Sequence, residues 1–216
     1  MKVSDRLFQY VKPQWDAYLE KPFIKGMENG SLDKEKFKFY LIQDYLYLLD
    51  YAKVFALGVV KSKQEKHMQI FGDYIQMIIN GETDTHKEYI KKLGITQESI
   101  ETSKTSLTTE SYTKYMLAVA FEDGLAEIAV AVLACSWSYH YIARKINPLC
   151  DHGFYKEWVE AYASEAYAIG NDLNIDLVDE LTQGYSEEQI KKLEKIIDNC
   201  SRYEGLFWDM AWNMEL

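Results

Sequence analysis

The chain has 216 residues, of which 24 are Lys or Arg and 34 are Asp or Glu, so its net charge is -10 at pH 7. This length is sufficient for the core of one domain, and we expect residues 1–216 to form that single domain. The negative charge repels phosphate backbones and anionic lipid, which argues against nucleic acid and membranes as partners.

The cysteines and the N-terminus predict a cytoplasmic location. The chain has an odd number of cysteines, Cys135, Cys150 and Cys200, and its first residues lack the apolar segment of a signal peptide. Uninterrupted apolar runs are far shorter than the roughly 20 residues that cross a bilayer. We therefore expect a soluble, cytoplasmic protein with reduced thiols.

Apolar residues recur at intervals of three and four through most of the chain, and only three prolines occur. This pattern predicts an all-α fold, a single-domain helical bundle. Helix boundaries are expected at capping and turn residues. They are Asn29-Gly30-Ser31, with Ser31 or Asp33 as cap, Asn80-Gly81, Leu93-Gly94, Asn147-Pro148, and Gly184-Tyr185-Ser186, with Ser186 as cap. The polar stretch from Thr96 to Ser111 is predicted to be a connection with a short helical turn.

Two predicted helices carry a carboxylate on their apolar face, where burial is costly unless the group is paired or hydrogen-bonded. Asp44 is therefore either a structural hydrogen-bond anchor or a ligand contact, and Tyr47 lies beside it. Glu204 is either half of a structural ion pair or a functional group. The stripes are Phe37, Leu41, Asp44, Leu48, Tyr51 and Phe55, and Ile190, Leu193, Ile197, Cys200, Glu204, Phe207 and Ala211.

A third stripe places the thiol of Cys135 and the phenol of Tyr139 on one face of a very apolar helix. A free cysteine is often a small buried hydrophobe, so packing remains the alternative for Cys135. Two carboxylates, a thiol and several tyrosines on inward stripes together favour a common site. Cys150 and Cys200 are interpreted as packing residues, although the loop position of Cys150 allows exposure.

Aromatic residues make up 14% of the chain, which includes 17 tyrosines. Flat rings that line a cavity suit a flat heterocyclic or cationic ligand. An aromatic core explains most of them equally well. Tyr47, Tyr51 and Tyr139 are the exceptions, because they share stripes or helical turns with the polar groups.

Several cofactor motifs are missing from the sequence. None of His67, His86, His140 and His152 has a glutamate three residues before it, as a di-iron bundle requires. Glycine-rich phosphate-binding motifs and the Gly-x-Ser-x-Gly motif are also missing. We therefore expect no metal and no organic cofactor.

Four segments of the chain form a recognisable combination. They are 21–56, which contains Gln43-Asp44-Tyr45, "LACSWSYHYIA" around Cys135, "WVEAYASEAY" around Tyr162, and the final "YEGLFWDMAWNMEL". With these segments the chain resembles the TenA family, the thiaminase II enzymes, which share the all-helical haem-oxygenase-like fold. The same fold includes haem oxygenases, whose iron ligand is a histidine of the first helix, whereas the first histidine here is His67.

The resemblance implies a homotetrameric aminopyrimidine hydrolase of thiamin salvage. Such an enzyme converts 4-amino-5-aminomethyl-2-methylpyrimidine to the hydroxymethyl compound, and it hydrolyses thiamin to hydroxymethylpyrimidine and thiazole. Cys135 would be the nucleophile, Glu204 the acid and base, and Asp44 the partner of the aminopyrimidine edge. The expected substrate-binding set is completed by Tyr47, Tyr51, Tyr112, Tyr139, Tyr162 and Phe207, with Tyr115 as the alternative to Tyr112.

Two other functions remain open from the sequence. A non-catalytic regulatory protein would bind a pyrimidine in the same pocket, and release of ammonia or thiazole distinguishes an enzyme from it. A haem or di-iron protein would be recognised by its absorption spectrum and metal content. The preference between thiamin and its degradation products depends on how far the cavity extends beyond the ring.

Overall fold

The computed structural model describes residues 1–80, 88–151 and 153–216, and these residues form helices and no strands. A further helical segment at 88–92 ends in the turn at Leu93 and Gly94. The delimited helices are α1 (Val3–Tyr18), α2 (Pro22–Asn29), α3 (Lys34–Lys61), α4 (Glu65–Asn80), α5 (Gln97–Glu101), α6 (Leu107–Glu122), α7 (Leu125–Ile146), α8 (Gly153–Ala163), α9 (Glu165–Leu181) and α10 (Glu187–Asn213).

Helix boundaries follow the predicted capping residues. Gly30 ends α2 with a φ of 74°, a left-handed conformation that favours glycine. The side chains of Asp33 and Ser186 accept backbone hydrogen bonds from the first turns of α3 and α10. Asn147 follows α7, and Gly94 has a φ of 62°. These boundaries are confirmed, and Asp33 rather than Ser31 is the cap of α3.

The prediction for the stretch 96–111 is partly wrong. The short helix α5 confirms the helical turn, but α6 begins at Leu107, inside the stretch that was predicted to be a connection. The reason is that the buried side chain of Ser106 caps α6 by accepting a hydrogen bond from Thr109 N. The predicted boundary at Gly81 lies outside the described residues.

Helix α7 lies at the centre of the bundle and contacts α1, α3, α6, α8, α9 and α10. In the part of the chain that the structure describes, it alone is long and apolar enough to span a membrane by length and composition. Uninterrupted apolar runs in the sequence did not identify this helix as long and apolar enough, because serine and tyrosine interrupt its apolar residues. However, 72% of its most apolar window is buried inside the fold, so the protein core accounts for its composition.

The three predicted stripes face one another in the interior. Asp44 is 5% exposed and Glu204 is 2% exposed, whereas Cys135 is partly exposed. Helices α3, α7 and α10, which carry these residues, contact each other in all three pairs. The packing therefore brings two carboxyl groups and a thiol into one region.

Candidate active site

A narrow cleft lies between α3, α7 and the junction of α8 with α9. Six of the nine predicted site residues line it, and Tyr112, Glu204 and Phe207 lie behind that lining. The lining consists of Asp44, Tyr47, Leu48 and Tyr51 from α3, Cys135, Ser136 and Tyr139 from α7, and Tyr162 and Tyr167 from the junction.

Glu204 is the buried carboxyl group of this region. Its Oε1 accepts a hydrogen bond of 2.8 Å from the Tyr112 hydroxyl, and its side chain is also hydrogen-bonded to Cys135. Burial raises the pKa of Glu204 to about 8; the Asp44 carboxylate contributes to this rise, and the two hydrogen bonds oppose it. The carboxyl group can therefore both accept and donate a proton near neutral pH.

The structure distinguishes between the two tyrosines that sequence reasoning left open. The hydroxyl of Tyr112 reaches Glu204, whereas that of Tyr115 accepts a hydrogen bond of 3.0 Å from Asn199. The ring of Tyr115 packs 5.7 Å from that of Tyr203. Tyr112, and not Tyr115, is therefore the phenol that contacts the buried carboxyl group.

Aromatic rings form the α3 side of the cleft and the layer behind it. Tyr47 stacks on Tyr51 with ring centroids 5.2 Å apart, and Tyr112 also lies 5.2 Å from Tyr47. Phe207 meets Tyr47 edge-on at 6.1 Å. The hydroxyl of Tyr51 donates to the Val132 carbonyl at 2.6 Å, which leaves its ring as the surface that faces the cleft.

The opposite side of the cleft is formed by Tyr139 and Tyr162, whose rings lie 5.2 Å apart. The Tyr139 ring is also 4.9 Å from that of Trp208. Burial raises the pKa of Tyr47, Tyr112 and Tyr139 well above the usual value for a phenol. These hydroxyls therefore stay protonated at neutral pH and can donate hydrogen bonds.

The three cysteines lie in different environments. Cys135 is partly exposed and lines the cleft, and Cys200 is completely buried, which raises the pKa of its thiol. The expectation that Cys150 could be exposed is wrong, because it is only 2% exposed and its Sγ donates to the Met27 carbonyl at 3.5 Å. The loop after α7 folds back onto α2 and buries this thiol.

Sequence reasoning missed Ser136 and Tyr167 as lining residues. Tyr167 follows Tyr162 by five residues, a spacing that does not keep one face of a continuous helix. Ser164 separates the two helices and caps α9 by accepting a hydrogen bond of 3.2 Å from Tyr167 N, so both rings reach the cleft. The sequence does contain a signal for this helix boundary: Ser164 is a capping residue, and Glu165 supplies the acidic first turn that follows it.

His140 holds the α8–α9 junction against α7. Its Nδ1 lies 2.7 Å from the Tyr162 carbonyl oxygen, and its ring stacks on Tyr167 at 6.0 Å. A carbonyl oxygen only accepts hydrogen bonds, so Nδ1 carries the proton. No group of three or more His, Cys, Asp or Glu side chains that could hold a metal occurs among the described residues, which do not include His86 and His152.

Comparison with solved structures defines the class of fold. The TenA homologue of P. horikoshii OT3 has a TM-score of 0.90 and 27% sequence identity, with 99% of each chain covered. A domain of unknown function with a heme oxygenase-like fold from Shewanella denitrificans has a TM-score of 0.78 at 18% identity, covering 97% of this chain and 92% of the other. The predicted all-α, haem-oxygenase-like fold is confirmed.

Sequence comparison then identifies the family. The model of the TENA/THI-4/PQQC family matches residues 8–214, and the chain belongs to this family. The aminopyrimidine aminohydrolase of Helicobacter pylori is 44% identical over 215 residues, which are 98% of this chain and 99% of the relative. The resemblance seen in the four sequence segments is thereby confirmed.

Proposed function

We propose that the protein is an aminopyrimidine aminohydrolase of thiamin salvage. It hydrolyses 4-amino-5-aminomethyl-2-methylpyrimidine to the hydroxymethyl compound and ammonia. The observation that carries this proposal is a partly exposed thiol, Cys135, hydrogen-bonded to the buried carboxyl group of Glu204 beside a cleft lined by aromatic rings. The Helicobacter pylori relative, an aminopyrimidine aminohydrolase that matches this chain over 99% of its own length, supports the proposal.

The lining of the cleft suits a flat ring with amino substituents. The Asp44 carboxylate accepts hydrogen bonds from an amino group, and its charge strengthens them. The rings of Tyr47 and Tyr139 stack against the faces of the heterocycle, and their protonated hydroxyls donate to its acceptor atoms. The substrate ring is thereby held beside the thiol of Cys135.

The first half of the reaction joins the enzyme to the ring. The thiol proton of Cys135 passes to the ionised Glu204, and the sulfur forms a bond to a ring carbon. Glu204 delivers the proton to a ring nitrogen, which takes up the displaced electron pair. The amino substituent leaves from its protonated, ammonium form. Electrons of the 4-amino group and the ring break its bond to the methylene carbon, ammonia departs, and an exocyclic methylene forms.

The second half of the reaction releases the product. Water adds to the methylene carbon and loses a proton to the solvent, and the electrons return to the ring and the 4-amino group. The ring nitrogen then gives its proton back to Glu204, the sulfur–carbon bond breaks, and the thiolate of Cys135 takes that proton from Glu204. The pKa of about 8 for Glu204 lies near neutral pH, so its ionised and protonated forms are both populated there. This suits a group that acts first as base and then as acid.

Thiamin is the second proposed substrate, with thiazole in place of ammonia as the leaving group. Leu48 borders both the cleft and a neighbouring apolar groove between α3 and α4, which includes Ala52 and Ile78. This groove offers a surface for a leaving group larger than an amine.

The test is an assay of the purified protein with each substrate, in which ammonia or thiazole is measured and the two values of kcat/KM are compared. We expect turnover of the aminopyrimidine without added metal or cofactor. Binding of the pyrimidine with no release of ammonia or thiazole would contradict the enzyme and support the regulatory alternative.

Replacing Asp44 by alanine should mainly weaken substrate binding. Hydrogen bonds to a charged group contribute about 1.5–3 kcal/mol, so we expect KM and the product Kd to rise about 10- to 150-fold. Asp44→Asn keeps one acceptor oxygen and should have a smaller effect. Steady-state kinetics and calorimetric titration with the hydroxymethyl product measure both constants. A large loss of kcat at unchanged Kd would show that Asp44 acts in the chemical step instead.

Alkylation should distinguish Cys135 from the two packed cysteines. A small haloacetamide should modify Cys135 first, because only this thiol is both partly exposed and part of the cleft lining. Saturating hydroxymethyl-aminopyrimidine should slow that reaction. Cys150 and Cys200 are the internal controls and should remain unmodified in the folded protein. Peptide mapping by mass spectrometry reads all three sites, and ligand-independent labelling of Cys135 would exclude it from the site.

We further infer that residues 1–216 form one domain and that the protein is a homotetramer. Contacts between the two ends of the chain support the single domain. Arg6 of α1 donates hydrogen bonds of 2.6–2.7 Å to Glu187 and Glu194 of α10. The homotetramer rests on the resemblance to the family.

A further inference from the structure

Gln43 precedes Asp44 in α3 and is 1% exposed, but it does not line the cleft. Its side-chain amide donates a hydrogen bond of 2.9 Å to the Lys104 carbonyl. Its Oε1 accepts hydrogen bonds from Ser106 N at 2.9 Å and from Thr109 Oγ1 at 3.1 Å. Lys104 and Ser106 immediately precede α6 and Thr109 lies in its first turn, so this one amide connects α3 to that helix end.

The first turn of α6 determines where Tyr112 lies. Thr109 and Tyr112 are three residues apart and therefore share a face of the helix. From that face Tyr112 donates its hydrogen bond of 2.8 Å to Glu204. A displacement of the first turn would move the phenol away from the carboxyl group, because helices shift as rigid elements.

The connection made by Gln43 is additional to ordinary helix capping. Ser106 already caps α6 through the hydrogen bond of 3.0 Å from Thr109 N to its hydroxyl. The Ser106 hydroxyl also contacts the thioether of Met210 in α10, the helix that carries Glu204. The buried polar cluster therefore joins the three helices that provide Asp44, Tyr112 and Glu204.

We propose that Gln43 is a positioning residue for the hydrolysis, which holds the first turn of α6 so that Tyr112 stays hydrogen-bonded to Glu204. This role rests on the proposed function. Gln43 acts on the reaction through Tyr112 and does not touch the substrate. A residue with a merely structural role would affect stability independently of Tyr112.

A double-mutant cycle tests this coupling. Gln43→Met keeps the length of the side chain but removes its hydrogen bonds, and Tyr112→Phe removes the phenol hydroxyl. Each single substitution should lower kcat/KM by about tenfold. The double variant should be no slower than Tyr112→Phe, because the hydroxyl that Gln43 positions is then missing. Multiplicative losses in the double variant would overturn the proposal.

The pH profile gives a second readout. The hydrogen bond from Tyr112 lowers the pKa of Glu204, so its loss raises that pKa. Both Gln43→Met and Tyr112→Phe should therefore move the acid limb of kcat/KM to higher pH. An unchanged limb in a folded Gln43→Met protein would contradict the positioning role.

A milder variant and a matched control cover the case in which Gln43→Met does not fold. Thr109→Val removes the hydroxyl that donates to Gln43 and accepts from the Ser106 hydroxyl, and it should show the same coupling to Tyr112→Phe at smaller size. Thr182→Val removes a buried hydroxyl bond of 2.7 Å to the Val178 carbonyl away from the cleft and should leave kcat/KM unchanged. If the losses of Thr109→Val and Tyr112→Phe multiply in the variant that carries both, the positioning role of Gln43 is overturned and the proposed function is not affected. If the unsubstituted protein shows no turnover, the proposed function is overturned together with that role.

Discussion

Replacing Cys135 by serine or alanine should abolish hydrolysis of the aminopyrimidine and leave a folded protein that still binds the ring. The proposed reaction begins with a sulfur–carbon bond, and alanine cannot form one. A serine hydroxyl loses its proton far less readily than a thiol, so a carboxylate with a pKa of about 8 cannot activate it. We expect kcat to fall by about a thousandfold or more.

Cys150→Ala is the matched control, because it removes a buried thiol that does not line the cleft. It should lower stability and leave turnover per folded molecule unchanged. For the Cys135 variants, thermal unfolding and titration with the hydroxymethyl product should show a folded, binding-competent protein, because the side chain is small and partly exposed. Retention of more than a few per cent of the original rate would remove the nucleophile assignment.

Glu204→Gln should act mainly on turnover. Glutamine keeps the shape of the side chain and an oxygen that accepts from Tyr112, but it cannot take up or donate the transferred proton. Loss of general acid–base catalysis lowers rates by about 10²- to 10⁴-fold, and we expect kcat to fall within that range while the product Kd changes little. If Asp44→Ala lowered kcat and Glu204→Gln weakened binding instead, the division of roles between the two carboxyl groups would be wrong.

The pKa of Glu204 also determines two pH dependences. Proton transfer from the thiol needs the ionised carboxylate, so kcat/KM should rise between pH 7 and pH 9 with a midpoint near 8. Folding raises this pKa from the ordinary 4.5, so ionisation is easier in the unfolded chain. The free energy of unfolding therefore falls as pH rises from about 4.5 to about 8. At pH 7 this loss is on the order of 3 kcal/mol.

Glu204→Gln removes this cost because glutamine does not ionise. The difference in Tm between the variant and the original protein should grow in favour of the variant from pH 5 to pH 8. Glu188→Gln, a change of an exposed side chain in the same helix, is the control for the loss of a carboxyl group that is not buried. Equal Tm differences at pH 5 and pH 8 would show that burial does not raise the pKa of Glu204.

Several features could be predicted from the sequence because they depend on local patterns. The spacing of apolar residues determined the helices, and capping residues such as Asp33, Gly30 and Ser186 determined several of their ends. A polar group in an apolar stripe is also visible locally, which is why Asp44 and Glu204 could be selected before their surroundings were known. The family resemblance added the expected fold and the proposed roles.

Other features depend on which helices meet, and only the tertiary structure decided them. Tyr112 and Tyr115 are one turn apart, so periodicity could not decide which of them reaches Glu204. Cys150 is buried because a loop folds back onto α2, a contact that no local pattern encodes. The raised pKa of Glu204 and the bonds of Gln43 likewise arise between helices distant in sequence. Helical periodicity determines which face of a helix points inward, whereas the partner of each buried group depends on how the helices pack.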